Sequence, residues 1–204
     1  KDEIGIPQER IYKYGKSENW WGPVGDGGPC GPCTEMFVDA GLEKCSGECG
    51  PSCHCDKFVE IGNNVFMEYN KTADGKFNKL EQKNVDVGLG LERLAMFSQN
   101  KKSVFDIDVM LPLIKKIEEL SGKKYLDFPK DFRIITEHIR SATFAIGDGA
   151  VPSNKGAGYI VRRLIRRAVV KAKQLGIADN SLNSLAPSVV EVYSDIYALN
   201  QDQI

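Results

Sequence analysis

The sequence has 204 residues, of which 42% are apolar and 27% charged, and its 27 basic residues nearly balance 28 acidic ones. These proportions exclude wholesale disorder, and they exclude a polyanion partner attracted by bulk charge alone. No apolar run approaches the roughly 20 residues that span a bilayer, and the polar first ten residues do not resemble a secretory signal. We therefore expect a cytoplasmic protein with one large domain or two small ones.

The first hundred residues are predicted to be rich in strands and turns. Glycine and proline fill eight of the eleven positions from Gly22 to Pro32, which predicts a loop. Apolar patterning predicts strands at 35–39, 57–61, 65–69 and 77–80. The pair Asp74-Gly75 predicts the turn of a hairpin, and residues 84–90 lead into a short helix at 91–98.

After residue 100 the apolar residues recur with a helical period. Helices are predicted at 108–121, 132–146, 158–175 and 187–200. In the first of them Asp108 is the expected cap, Pro112 then falls in the first turn, and Gly122 ends the helix. The chain therefore divides into domains 1–100 and 101–204, and the predicted fold class is α+β.

All six cysteines lie between residues 30 and 55, which indicates a metal site in a reducing compartment. Four of them, Cys45, Cys49, Cys53 and Cys55, fall within eleven residues rich in turn formers. Four thiolates suit tetrahedral Zn²⁺, so we predict a structural zinc site. His54 in place of one cysteine, the pair Cys30 and Cys33 completing the site, free thiols and disulfides are the alternatives.

The stretch Val85–Arg93 carries a possible phosphate site. Gly88 and Gly90 permit close backbone approach to a ligand, and Arg93 in the first turn of the next helix can grip phosphate oxygens. A glycine-rich bend followed by a solvated arginine is the plain alternative.

A second possible anion site lies on the third predicted helix of the second half. Residues 155–178 hold seven cations and no carboxylate, which favours a polyanion partner over a solvated or ion-paired face. The expected buried stripe of this helix consists of Val161, Leu164, Ile165, Ala168 and Val169.

Several motifs in order connect these features. They are NWW at 19–21, GDGGPCGPCTE at 25–35, NNVFMEYN at 63–70, DVGLGLER at 86–93, EHIRS at 137–141, GDG at 147–149, PSN at 152–154 and GYIVRRLIRR at 158–167. Over residues 15 to 176 they resemble the alanyl-tRNA synthetases, a family of class II aminoacyl-tRNA synthetases. The resemblance implies part of the antiparallel class II sheet, followed by a helical bundle.

The resemblance also implies a reaction. Alanine would attack the α-phosphate of ATP, bound with Mg²⁺, and the alanyl group would then pass to the 3′ end of tRNA-Ala. Asp86 would receive the alanine ammonium, and Arg93 and Gly90 would contact ATP. Trp21, Asn63, Val65 and Gly88 would line the alanine pocket. An extra residue before Gly25 leaves the choice between Trp20 and Trp21 to the alignment.

For the tRNA, the resemblance implies contacts to the acceptor stem. Asn154 would read a base pair, and Arg162, Arg163, Arg166 and Arg167 would hold the backbone. Glu137 stands where the family has aspartate.

The resemblance also predicts missing parts. We expect an internal fragment, inactive alone, without the first two class II motifs and the editing region. The alternative function is a zinc-stabilised RNA-binding module without catalysis. A different class II synthetase is disfavoured by the context Asp86-Val87-Gly88.

Overall fold

A computed structural model describes residues 3, 5–53, 55–199 and 204. The chain forms two compact units, residues 1–102 and residues 103–204. The described residues hold four antiparallel strands and five α-helices, so the α+β prediction is confirmed. Within this part of the chain, no helix is both long enough and apolar enough to cross a membrane.

The first unit is built on one sheet. Its strands are β1 (Trp20–Trp21), β2 (Gly28–Asp39), β3 (Phe58–Lys71) and β4 (Phe77–Leu89), and they neighbour one another in chain order. Every adjacent pair is antiparallel. Helix α1 (Leu91–Ser98) follows β4 directly, after Gly90.

Part of the predicted glycine–proline loop is strand, because β2 already begins at Gly28. The register between β2 and β3 is interrupted between Cys30 and Cys33, and such irregularities are where sheets accept proline and glycine. Gly31 is required there by sterics: an added Cβ would overlap the carbonyl oxygen of Phe66 on β3.

Three other strand predictions were too short. The segments expected at 57–61 and 65–69 fall in the single strand β3, and the segment at 77–80 is the start of β4. Residues 84–89, which were expected only to lead into the short helix, also belong to β4. Polar residues in the middle of each strand hid this continuity, because almost all of β4 is solvent-exposed and its sequence does not alternate. The predicted turn is present, with Gly75 at φ +86° between the two strands.

The second unit is helical. It contains α2 (Leu111–Ser121), α3 (Pro129–Gly147), α4 (Gly156–Leu175) and α5 (Leu185–Tyr193). Its core is formed by apolar side chains from all four helices and from the segment after α4: Ile114, Ile117, Phe132, Ile135, Ile139, Ala168, Ala172, Leu175, Ile177 and Leu185.

The ends of the first two of these helices differ from prediction. Asp108 does not cap α2, because its carboxylate accepts from the neighbouring Val109 N–H and the helix starts three residues later. Pro112 still falls in the first turn, and Gly122 ends the helix at φ +65°, as predicted. Helix α3 begins earlier than expected because Pro129, which needs no intrahelical N–H partner, occupies its start.

The last two helices also depart from expectation. Helix α5 ends at Tyr193, where the Ser194 hydroxyl donates to the Glu191 carbonyl; Asn200, the predicted end, lies outside the described residues. On α4, Val169 was predicted buried but is 37% exposed, because the buried stripe continues through Ala172 and Leu175 instead.

Candidate functional site

Three sequence-predicted features meet on one face of the sheet of the first unit. Val65 on β3 pairs with Cys33 on β2 and with Asp86 on β4. Because directly paired residues of neighbouring strands point to the same side, these three side chains form a row across the sheet. Cys33 and Val65 are buried, whereas Asp86 is exposed at the outer strand. We call this side of the sheet the site face.

A second row lies beside the first. Asn63 pairs with Glu35 on β2 and with Gly88 on β4. The absence of a side chain at Gly88 matters here, since an added Cβ would lie 3.0 Å from the Asn63 Oδ1 atom. The site face therefore carries Asn63, Val65, Asp86 and Gly88 together.

The two tryptophans of β1 have different surroundings. Trp21 packs against the buried cluster of Cys33, Val65 and Met67, on the site face. Trp20 packs instead against Tyr69 and Phe77, with Lys16 Nζ 4.0 Å from its ring centre. Of the two, Trp21 is the one that contacts the row of Val65.

Arg93 lies in the first turn of α1 and reaches back to β3. Its Nη1 donates to the Glu60 carbonyl oxygen at 2.8 Å and to Glu60 Oε2 at 3.3 Å. Gly90 brings the helix to this position, because its N–H donates to the carbonyl of Ile61 on β3 at 2.9 Å. An added Cβ at Gly90 would crowd the Arg93 side chain at 3.2 Å.

Two acidic residues of this region, Glu35 and Glu60, were not predicted from the sequence, and Cys33 was predicted only as an alternative zinc ligand. The Cys33 thiol donates to Glu35 Oε1 at 3.7 Å, and burial together with Glu35 raises the pKa of Cys33 to about 11. Burial, followed by the charge of Glu60, raises the pKa of Glu35. The available signal was the spacing of Cys33 and Glu35, two residues apart on a strand, whereas nothing local pointed to Glu60.

A cleft of about 1450 Å³ opens beside this region. Its walls include Trp20, Cys33 and Glu35, together with the segment 9–16. Trp21, Asn63, Val65, Asp86, Gly88, Gly90 and Arg93 do not line it. Asn63, Val65, Asp86 and Gly88 therefore share a face of the sheet, and none of these seven residues is enclosed in the cleft.

The four clustered cysteines converge. The sulfurs of Cys45, Cys49, Cys53 and Cys55 all lie within 4.8 Å of one another, and two pairs approach to 3.1 Å and 3.5 Å. Tetrahedral zinc with bonds of about 2.3 Å separates its sulfurs by about 3.8 Å, so the donor set fits this ion. A backbone hydrogen bond from Lys57 lowers the pKa of Cys55 to about 7, which favours the thiolate that a metal needs.

Among the alternative zinc ligands, Cys30 and Cys33 are buried in β2 and do not belong to this cluster, and His54 lies outside the described residues. All six cysteines are free thiols in the structure, so none forms a disulfide.

The predicted cationic helix lines a cavity of about 470 Å³ in the second unit. We call it the basic groove, and its walls are Ile134, Asn154, Tyr159, Arg162, Arg163, Arg166, Arg167, Val170 and Lys171. Asn154 and the four arginines thus border one groove. Among the described residues only Lys171 of this set forms an ion pair, with Asp131 at 2.9 Å.

Near the groove, α3 carries the whole motif at 137–141. Glu137 accepts from Arg140 Nη2 at 3.3 Å and from the Ser141 hydroxyl at 3.2 Å, so its carboxylate is engaged within its own helix. Burial and the charge of Arg167 lower the pKa of His138, whose two ring nitrogens are buried without a hydrogen-bond partner in the described chain.

A family described as tRNA synthetases class II (A) matches residues 1–203. The alanine–tRNA ligase of Borrelia garinii subsp. bavariensis is 48% identical over 201 residues, which cover 96% of this chain and 34% of that protein. The ligase of Treponema pallidum is 45% identical over 96% of the chain and 33% of its own length.

A third relative, the alanine–tRNA ligase of Leptospira biflexa, is 45% identical over 98% of the chain and 23% of its own length. The chain therefore spans about a quarter to a third of the length of these relatives.

Proposed function

The chain belongs to the class II (A) family of tRNA synthetases, and from that premise we propose that it is part of an alanine–tRNA ligase. The ligase would join the alanine carboxylate to the α-phosphate of ATP with release of pyrophosphate, and would then transfer the alanyl group to tRNA-Ala. This chemistry asks mainly for positioning and charge neutralisation.

The observation that carries the proposal is the grouping on the site face. Asp86 is a carboxylate in the same row as the small buried side chain of Val65, beside Asn63 and Gly88. We assign Asp86 to the ammonium of alanine, since a charge-assisted pair to a fixed carboxylate is strong. Val65, Asn63, Gly88 and Trp21 would limit the space around the methyl group.

Arg93 and Gly90 serve the nucleotide in this proposal. Gly90 precedes α1 and Arg93 lies in its first turn, where a guanidinium and backbone N–H groups suit phosphate oxygens. Mg²⁺ would enter with ATP as part of the substrate.

For the RNA partner we propose the acceptor stem of tRNA-Ala in the basic groove. The groove holds four arginines that form no ion pair in the described chain, and these can contact the phosphates of an RNA backbone. Asn154 and Tyr159 lie beside them, where they can contact the bases. The domain roles follow: residues 1–100 would act in catalysis and residues 101–204 in tRNA recognition.

We further propose that Cys45, Cys49, Cys53 and Cys55 bind one structural Zn²⁺. The convergence of four sulfurs supports it. Thiolate ligation requires reduced cysteines, and the cytoplasm, where we propose that the protein acts, keeps cysteines reduced.

The test is alanine-dependent exchange of pyrophosphate into ATP by the full-length protein. Asp86→Ala should lower kcat/KM for alanine by about 100-fold or more, because it removes the partner of a charged group. Glu81→Gln, an exposed acidic position on the same strand, is the matched control and should leave exchange unchanged.

Two results would contradict this assignment. Retained activity of Asp86→Ala would refute its role at the ammonium. Full-length protein that binds RNA but never exchanges pyrophosphate would favour the RNA-binding module without catalysis. The segment 1–204 alone is expected to be inactive.

A further inference from the structure

Glu60 contacts Arg93 in two different ways. The carbonyl oxygen and the carboxylate of this one residue both accept from Arg93 Nη1, at 2.8 Å and 3.3 Å. Other Arg93 donors have no hydrogen-bond partner in the part of the chain that the structure describes. The guanidinium is therefore fixed at one corner, while the rest of its donor fork is available.

We infer that Glu60 is a positioning residue that holds Arg93 for the phosphates of the nucleotide. The inference rests on the proposed function, because it takes Arg93 as the phosphate contact. Glu60 itself would touch neither alanine nor ATP. It acts through Arg93. Glu60 lies on β3, and Arg93 lies on α1, which follows the next strand, β4.

The two contacts have different consequences. The carbonyl is part of β3, so it anchors Nη1 to the sheet whatever the charge state of the site. The carboxylate adds a charge-assisted contact that restricts the long, rotamer-rich arginine side chain before a ligand arrives. An arginine ordered in advance loses less conformational freedom when it binds phosphate.

The surrounding charges favour this arrangement. Glu60 is close enough to Glu35 and Cys33 to disfavour their charged forms. Arg93 forms an ion pair with Glu60, and the Arg93 side chain is 48% exposed. An anionic ligand can therefore reach the guanidinium from solvent while Glu60 holds it from the sheet.

A matched acidic residue lies on the same strand. Glu68 is 32% exposed, compared with 33% for Glu60, and it pairs with Lys83 at 2.8 Å. Its partner is a lysine of β4 that belongs to no predicted site. Loss of Glu68 thus removes a similar surface ion pair without affecting Arg93.

The experiment measures pyrophosphate exchange by the full-length protein at varied ATP and at varied alanine. Glu60→Ala should lower kcat/KM for ATP about tenfold, since small misplacement of a positioning group is costly, while KM for alanine stays within twofold. Glu60→Gln keeps an oxygen acceptor for Nη1 and should recover most of the loss. Glu68→Gln should match the unaltered protein.

The outcomes separate the inference from the function on which it rests. Unaltered protein without alanine-dependent exchange overturns the proposed function, and the role of Glu60 with it. Active protein in which Glu60→Ala keeps its ATP efficiency within twofold overturns only the role of Glu60. Equal losses for ATP and alanine, or an equal loss in Glu68→Gln, also overturn it, because they indicate a general structural effect.

Discussion

His138 is a half-buried titratable side chain on α3. Both ring nitrogens are buried without a hydrogen-bond partner in the described chain. Burial and then Arg167 lower its pKa, and Glu137 opposes them weakly. Protonation therefore costs more in the folded protein than in the unfolded chain.

This gives a pH prediction. With a lowered pKa, the folded state binds fewer protons than the unfolded state, so stability is lost as pH falls below the unfolded value of about 6.5. We expect the urea midpoint of the chain to fall more steeply between pH 7 and 5 than that of His138→Leu, which cannot titrate there. Identical slopes for the two proteins would contradict it.

For single residues, the sequence indicated which residues group into a site, but it did not indicate which side chains contact one another. Asp86, Gly88, Asn63 and Val65 were predicted as one site, and strand register brings them to one face. Their roles remain predictions. Glu60 could not be found because it lies 33 residues from Arg93, and only the fold creates that contact.

Among the elements, α4 presents the basic groove. Its arginines point away from a narrow buried stripe that includes Val161, Ala168 and Ala172. Lys173 is on the same helix but outside the groove, paired with Asp179 at 3.3 Å. The helix therefore contains the arginines proposed to contact RNA and also Lys173, a cation outside the groove whose substitution serves as a control.

The prediction for this element concerns salt. The double variant Arg162→Ala, Arg166→Ala should bind an acceptor-stem RNA hairpin about tenfold more weakly and reduce the slope of log K against log salt by about 1.5, because two phosphate contacts are lost. Lys173→Ala should change neither quantity. An unchanged slope in the double variant, measured by fluorescence anisotropy, would refute backbone contact.

The elements differ in how far sequence could define them. The helices were predicted because a strong apolar period marks them. The errors lie at their ends, as at the start of α2, at Pro129 and at Ser194. The strands were fragmented because β4 is exposed along its length and the centre of β3 is polar. Exposed strands carry little periodicity, and their extent is decided by pairing.

At the scale of the molecule, the two units are compact in themselves and only the first contains the cysteine cluster. Proteins with two such units need not unfold in one step. Metal bound only in the folded state stabilises the unit that holds it.

We therefore predict about one zinc per chain by elemental analysis, since four thiolates complete one tetrahedral site. A chelator should lower the unfolding temperature of the unit 1–102 and leave that of the unit 103–204 in place. Cys45→Ser should lose the metal, whereas Cys30→Ala, at a buried thiol outside the cluster, should keep it. Metal-free protein with unchanged calorimetric transitions would contradict the site.

Gly31 has a consequence for genetics. Because the carbonyl oxygen of Phe66 occupies the place of any Cβ there, every substitution must push two strands apart, whatever its polarity or size. A screen for inactive mutants would then return this codon beside those of Asp86 and Arg93. The amount of soluble protein recovered from each clone would distinguish variants that fail to fold from variants that fold but are inactive.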